Sequence, residues 1–136
     1  MKILFICDLN ISRSQIAETF FNHFSKKHYS KSAGTEVNDK NGELIKNVGV
    51  IVSETMSEEG FDLSNKVRTQ LTPAMAKDAD MIVAFTIKES LPDFIKNSSK
   101  LEIWNVEDPT GKDFQFHKRV RDHIKTMVKQ FVEQID

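Results

Sequence analysis

Ile3-Leu4-Phe5-Ile6-Cys7-Asp8-Leu9-Asn10-Ile11-Ser12-Arg13-Ser14-Gln15-Ile16-Ala17 is the stretch that decides how this chain folds. Ile3 to Ile6 is an unbroken apolar run, the pattern of a parallel strand buried on both faces. A turn follows from Asp8 to Ser12, after which Ile16, Ala17, Phe20, Phe21 and Phe24 recur at helical spacing. The stretch therefore reads strand, loop, helix, with a cysteine where the strand ends and an arginine where the helix begins.

Outward from there, Tyr29 to Ala33 reads as a second strand ended by Gly34, and the polar stretch to Asn47 as loop. Val48, Ile51, Val52 and Met56 line one face of a second helix that stops at Gly60. Pro73 opens a short helix at Ala74 to Ala76, Met81 to Phe85 is a third strand, and a short helix or loop surrounds Pro92. Leu101 to Val106 is a fourth strand leading into Glu107-Asp108-Pro109, and Val120, Ile124, Met127, Val128, Phe131 and Ile135 share one face of a long amphipathic helix. Strands alternating with helices predict an α/β fold: a four-stranded parallel sheet, doubly wound, with helices on both faces. Ligands of such sheets bind at the carboxyl ends of the strands near a topological switch point. The loops after the first and fourth strands both leave at that end.

A chain of 136 residues is long enough to bury one core without staples, and a single domain over residues 1–136 is expected. With 39% hydrophobic and 29% charged residues and few glycines or prolines, the composition excludes a disordered or collagen-like chain. A net charge of −1 with dispersed lysines and arginines leaves no footprint for nucleic acid. The N-terminal apolar run is too short for a signal-peptide core or a membrane span, so a cytoplasmic location is the default and no membrane partner is expected. The lone cysteine allows neither an internal disulfide nor a multi-cysteine metal site, so Cys7 is either a small buried hydrophobe or a reactive thiol. His23, His28, His117 and His123 have no spacing that would bind a metal; surface or helix-flanking places are expected for all of them, and no cofactor is implied.

The loop itself argues for reactivity. In Cys7-Asp8-Leu9-Asn10-Ile11-Ser12-Arg13-Ser14, backbone amides between a buried strand and a helix N-terminus can converge on one oxyanion. Arg13 adds a planar fork for two of its oxygens, which lysine cannot supply. Both features favour a thiolate at Cys7. Asn10 tolerates the left-handed backbone that would turn the amides inward. Ser14 either merely opens the helix or also donates its hydroxyl to the Cys7 sulfur. A thiolate attacking phosphorus further needs a proton donor for the departing oxygen, which as carboxylate can then activate water. Asp108 follows the fourth strand and should emerge beside Cys7, with Glu107 turned away; a solvated Asp-Pro turn has the same local sequence, and the residues alone leave both readings open.

Ile3 to Cys7 followed by Arg13-Ser14-Gln15-Ile16-Ala17-Glu18, together with Ser32-Ala33-Gly34 and Asp108-Pro109, resembles the low-molecular-weight protein tyrosine phosphatase superfamily, which includes arsenate reductases of the same fold. The resemblance runs nearly end to end. It implies Cys7 as nucleophile, Arg13 with the amides of Asp8 to Ser14 as oxyanion binders, and Asp108 as general acid. Trp104 to Lys112 and His117 to Asp122 look more like the arsenate reductase branch, and Thr110-Gly111 stand where tyrosine phosphatases usually carry aromatics. The chain lacks the further cysteines of thioredoxin-coupled reductases, however, so no internal disulfide relay can operate. Leu9 also stands where the family usually has Gly, and Ser12 where it often has a second Cys.

These readings favour a phosphatase that hydrolyses phosphomonoesters, phosphotyrosine among them, through a phosphocysteine, with a phosphorylated protein or small phosphomonoester as partner. The alternative is a single-cysteine arsenate reductase that takes arsenate plus an external thiol donor. A reading of another class is a non-catalytic phosphate-binding module, which Leu9 keeps open because a glycine position can require backbone freedom that leucine lacks.

Overall fold

Strand β1 (Lys2–Cys7) sends Ile3, Phe5 and Cys7 to one face of the sheet and Leu4 and Ile6 to the other, all of them buried. Its period-2 alternation thus seeds two cores from one apolar run. The computed structural model describes residues 1–136. After β1 come α1 (Arg13–Phe24), β2 (Tyr29–Gly34), α2 (Ile45–Val48), α3 (Val50–Glu58), α4 (Pro73–Asp78), β3 (Met81–Ala84), α5 (Asp93–Lys96), β4 (Leu101–Ile103) and α6 (Phe114–Ile135). The strands are all parallel in the order β2-β1-β3-β4, with Cys7 opposite Gly34 and Ile6 opposite Ala84. The chain reverses its direction of winding beside β1, which places the switch point between the carboxyl ends of β1 and β3.

On one face α1, α3 and α6 cover an aromatic core in which Phe5 meets Phe21, Phe85 and Trp104 at ring-centroid distances of 5.8, 6.3 and 6.0 Å. Each such fully buried ring contributes about 1.5–3 kcal/mol relative to exposure. On the other face Ala33, Ala76, Ala79, Leu91 and Ile95 pack α4 and α5 against Leu4 and Ile6. Pro73 and the Thr72 side chain, which accepts from the Met75 amide, start α4; Asp113, accepting from the Phe116 amide, starts α6. No helix is long and apolar enough to cross a membrane.

The α/β sheet with helices on both faces is as expected, and the differences lie at boundaries. The stretch read as loop to Asn47 contains a 3-10 turn at Asn38–Lys40 and the start of α2. Val48 ends α2 and is exposed, so the face of α3 that packs inward is built from Val52, Thr55 and Met56 instead. Strand β4 stops at Ile103; the Trp104 amide still donates to the Ala84 carbonyl at 2.9 Å, while Val106, also buried, lies beyond the pairing. His117, expected at a surface or helix-flanking position, lies inside α6 at 7% exposure.

Candidate active site

The end of β1 and the start of α1 are tied together through side chains. Cys7 Sγ lies 2.9 Å from Ser14 Oγ, so the loop between them curls back on itself. Asn10 Nδ2 donates to that same Ser14 Oγ at 2.7 Å, which leaves the hydroxyl proton available for the sulfur. Asn10 adopts φ 56°, the left-handed backbone anticipated for it, and is fully buried. Its Nδ2 also donates to Ser32 Oγ at 3.1 Å, while its Oδ1 accepts from the Thr69 amide at 2.8 Å and from Gln15 Nε2 at 3.1 Å. Leu9 is not in the left-handed region, so the conformational burden that a glycine could carry here falls on Asn10. The Leu9 carbonyl is held by buried Arg68, whose Nε donates at 3.0 Å.

The backbone amides of Asp8, Leu9, Asn10, Ile11 and Ser12 donate to no protein acceptor, and the first backbone bond of α1 is from Ile16 to the Ser12 carbonyl. Buried Ser12 Oγ is also without a protein partner. A run of unpaired donors at a helix N-terminus is the electrostatic complement of an anion. Gly34 makes room for this run: a Cβ there would come within 2.7 Å of the Asp8 carbonyl oxygen and 2.9 Å of the Asn10 nitrogen.

Arg13 is buried, and its Nη1 donates to the Phe85 carbonyl at 2.7 Å and the Val106 carbonyl at 3.2 Å. These carbonyls lie just past β3 and β4, so the strand ends aim the guanidinium and leave its Nε and Nη2 edge as the planar pair of donors. Asp108 Oδ2 sits 3.6 Å from Nη2 with its side chain about half exposed. Asp108 Oδ1 accepts from the Thr110 amide at 3.0 Å and the Thr110 hydroxyl at 2.7 Å. Desolvation pushes the Asp108 carboxyl up, but the Thr110 hydrogen bonds and the charges of Arg13 and His117 together hold it below the ordinary aspartate value. Glu107 is exposed and takes no part.

The structure therefore brings Cys7, Asn10, Arg13, Ser14 and Asp108 together at the carboxyl ends of β1, β3 and β4. Sequence reading did not single out Gln15, Arg68 or Thr69, which fix the loop from behind. Polar residues inside an otherwise apolar helix stripe, such as Gln15 at 1% exposure, were the available signal.

Fold and site define a class: α/β proteins with one thiol beside a loop of unpaired amides at the mouth of a parallel sheet. Within it, the chain belongs to the low molecular weight phosphotyrosine protein phosphatase family, which it matches over residues 2–136. It is 32% identical to an arsenate reductase of Staphylococcus xylosus over 132 residues, covering 95% of this chain and 94% of that protein. A low molecular weight protein tyrosine phosphatase from T. tengcongensis superimposes with a TM-score of 0.86 at 25% identity, covering 98% of this chain and 99% of the other. An arsenate reductase from Archaeoglobus fulgidus superimposes with a TM-score of 0.70 at 28% identity, covering 96% and 98%. The chain is an enzyme of this superfamily, phosphatase or arsenate reductase, and solved structures of both kinds share its fold.

Proposed function

We propose that the protein is a cysteine-dependent phosphomonoesterase working through a phosphocysteine, with a phosphorylated protein or a small phosphomonoester as substrate. The observation that carries this reading is the meeting of the chain's one thiol, the Arg13 edge and the Asp108 carboxyl at a single loop of unpaired amides. Hydrolysis needs nothing more. The Cys7 thiolate attacks phosphorus while the ester P–O bond breaks, and Asp108 gives its proton to the departing oxygen. The Asp108 carboxylate then takes a proton from water, which attacks phosphorus and releases Cys7 as thiolate, stabilised by the Ser14 hydroxyl. Asp108 is ionised in the free enzyme. A bound dianion would engage the Arg13 charge and repel the carboxylate, and both effects raise its proton affinity.

A second reading is favoured by the arsenate reductases among the relatives and by Thr110-Gly111 beside the acid. In it Cys7 attacks arsenic, hydroxide leaves, and a low-molecular-weight thiol attacks the sulfur of the adduct; the arsenic departs as arsenite with the electron pair, leaving a mixed disulfide on Cys7. A further thiol then displaces Cys7. The non-catalytic module loses its basis, because Leu9 is spared the backbone conformation that would have argued for it. The deciding experiment is parallel turnover of an alkyl phosphate, an activated aryl phosphate, and arsenate with and without glutathione. Phosphate release from both esters with no arsenite supports the phosphatase. Thiol-dependent arsenite with only trace ester hydrolysis transfers the assignment to the reductase.

A further inference from the structure

A cleft of about 500 Å³ opens between the segment after β4, which contributes Asn105 and Glu107, and one face of α6, which contributes Phe116, Arg119 and His123. Val106 and Val120 are its buried apolar part. The cleft adjoins the candidate active site through the backbone. The Val106 carbonyl accepts from Arg13 Nη1 at 3.2 Å, and Glu107 directly precedes Asp108, whose Oδ2 lies 3.6 Å from Arg13 Nη2. Charge is distributed unevenly around it. Of the four arginines, Arg13, Arg68 and Arg121 are each in ion pairs, and Arg119 is in none. Its guanidinium lies over the Phe116 ring, 5.2 Å from the centroid, and the ammonium of Lys112, also outside any ion pair, lies over the same ring at 5.7 Å. Helical side chains lean toward the helix N-terminus, so Arg119 is carried toward the turn that holds Asp108. The acids nearby do not neutralise these cations: Asp113 caps α6 through the Phe116 amide, Glu58 and Asp122 are taken by Arg121, and Glu107, contributed by the other wall, pairs with neither.

We propose that this cleft is a docking subsite for an acidic segment flanking the phosphorylated residue of a polypeptide substrate, with Arg119 as a specificity-determining residue. The inference rests on the phosphatase reading and narrows its substrate to phosphorylated proteins. Unneutralised cations on one wall and the acceptors of Glu107 and Asn105 on the other match the two kinds of group that a polypeptide carries. An acidic side chain complements Arg119 and Lys112, and backbone N–H groups complement Glu107 and the Asn105 side-chain carbonyl. A small phosphomonoester has no flanking residues to place there once its phosphate occupies the loop.

The test compares p-nitrophenyl phosphate with phosphotyrosyl peptides that carry a single glutamate at successive positions on either side of the phosphotyrosine, each with an alanine and a lysine counterpart. The enzymes are wild type, Arg119→Ala, Arg119→Glu and Lys112→Ala. Wild type should prefer the glutamate peptide at one or more positions, with the gain in KM and not in kcat, because contacts remote from phosphorus bind ground and transition states alike. Added salt should shrink that preference, as expected for an exposed charge contact. Arg119→Ala should lower kcat/KM on the preferred peptide about fivefold, the upper range for one exposed ion pair, and Lys112→Ala should lower it less. Arg119→Glu should make the lysine peptide the better substrate. All three variants should hydrolyse p-nitrophenyl phosphate as wild type does. Equal kcat/KM on glutamate, alanine and lysine peptides at every position, or no peptide turnover beside normal hydrolysis of the small ester, overturns the proposal. So does a loss in Arg119→Glu that falls equally on peptide and small ester. If wild type hydrolyses no ester at all, it is the phosphatase reading that fails.

Discussion

Asn10 and Asp108 belong to two segments of the candidate site that are built in opposite ways. Asn10 is fully buried, and both ends of its amide are engaged by Ser14, Ser32, Gln15 and Thr69. Asp108 is about half exposed, tied locally to Thr110 and across the loop only by a 3.6 Å ion pair to Arg13. In the proposed mechanism the first segment holds a binding geometry that does not change during turnover. In the same mechanism the second holds a group that changes its protonation state twice, and solvent access together with light tethering would let its proton affinity respond to Arg13. Fixed donors are best preorganised, whereas an acid-base group has to remain responsive.

The contrast is broken most severely at the sulfur. Cys7→Ser should abolish ester turnover, since a hydroxyl is a far weaker nucleophile near neutral pH, while phosphate still binds because the amides and Arg13 are held by groups other than the sulfur. Steady-state assays and phosphate titration of the variant check both halves, and retained turnover would exclude the covalent route. Asp108→Ala comes next: alkyl phosphate hydrolysis should fall by ~10²–10⁴ and activated aryl phosphates should be spared. Because Asp108 lies outside the buried frame, the thermal midpoint should hardly move.

Gly34→Ala tests the rigid segment by the opposite signature. Its new Cβ would press on backbone, the Asp8 carbonyl oxygen and the Asn10 nitrogen, which cannot rotate away as a flexible side chain can. We expect a loss of about 1–3 kcal/mol in stability by denaturant melt, typical of overpacking. Turnover should fall by a similar factor for alkyl and aryl phosphates, since the whole cradle shifts. A variant that discriminates between leaving groups would show that Gly34 acts on the acid instead.

The same division explains what could be read from sequence. The strand, the loop with its left-handed Asn10 and the first helix were legible because period-2 and helical patterns and turn chemistry are local. Asp108 was placed at the correct strand end by the order of elements, though only the family resemblance separated it from an ordinary Asp-Pro turn. The partners that fix the loop were not legible: Thr69 and Arg68 meet Asn10 and Leu9 across the fold, and no periodicity records a tertiary contact at such separation. The overlong fourth strand was misjudged for a related reason. Trp104 keeps one bond to the sheet, its amide to the Ala84 carbonyl, and packs on Phe5, Phe85 and Phe131, whereas Val106 looks like strand because it is apolar yet is buried beyond the pairing.

The smallest effect sharpens the contrast at the lightly held segment. Thr110→Val keeps the β-branched shape and the backbone donor to Asp108 Oδ1 but deletes the 2.7 Å hydroxyl bond. That bond is one of the forces that outweigh desolvation and hold the carboxyl low, so the variant's carboxyl should rise toward the ordinary aspartate value. Proton donation requires the protonated form, and the descending limb of kcat for an alkyl phosphate should therefore move to higher pH, with a gain of about twofold at a pH on that limb if the bond is worth about 0.5 kcal/mol. Linkage supplies an independent reading. A carboxyl depressed in the folded state adds stability above its unfolded value and loses it as pH falls through the folded one, so the variant's deficit in acid denaturation should vanish below the lower value. A limb that moves to lower pH, or a deficit that persists in strong acid, would mean that Thr110 supports the turn mechanically and does not set the charge state of Asp108.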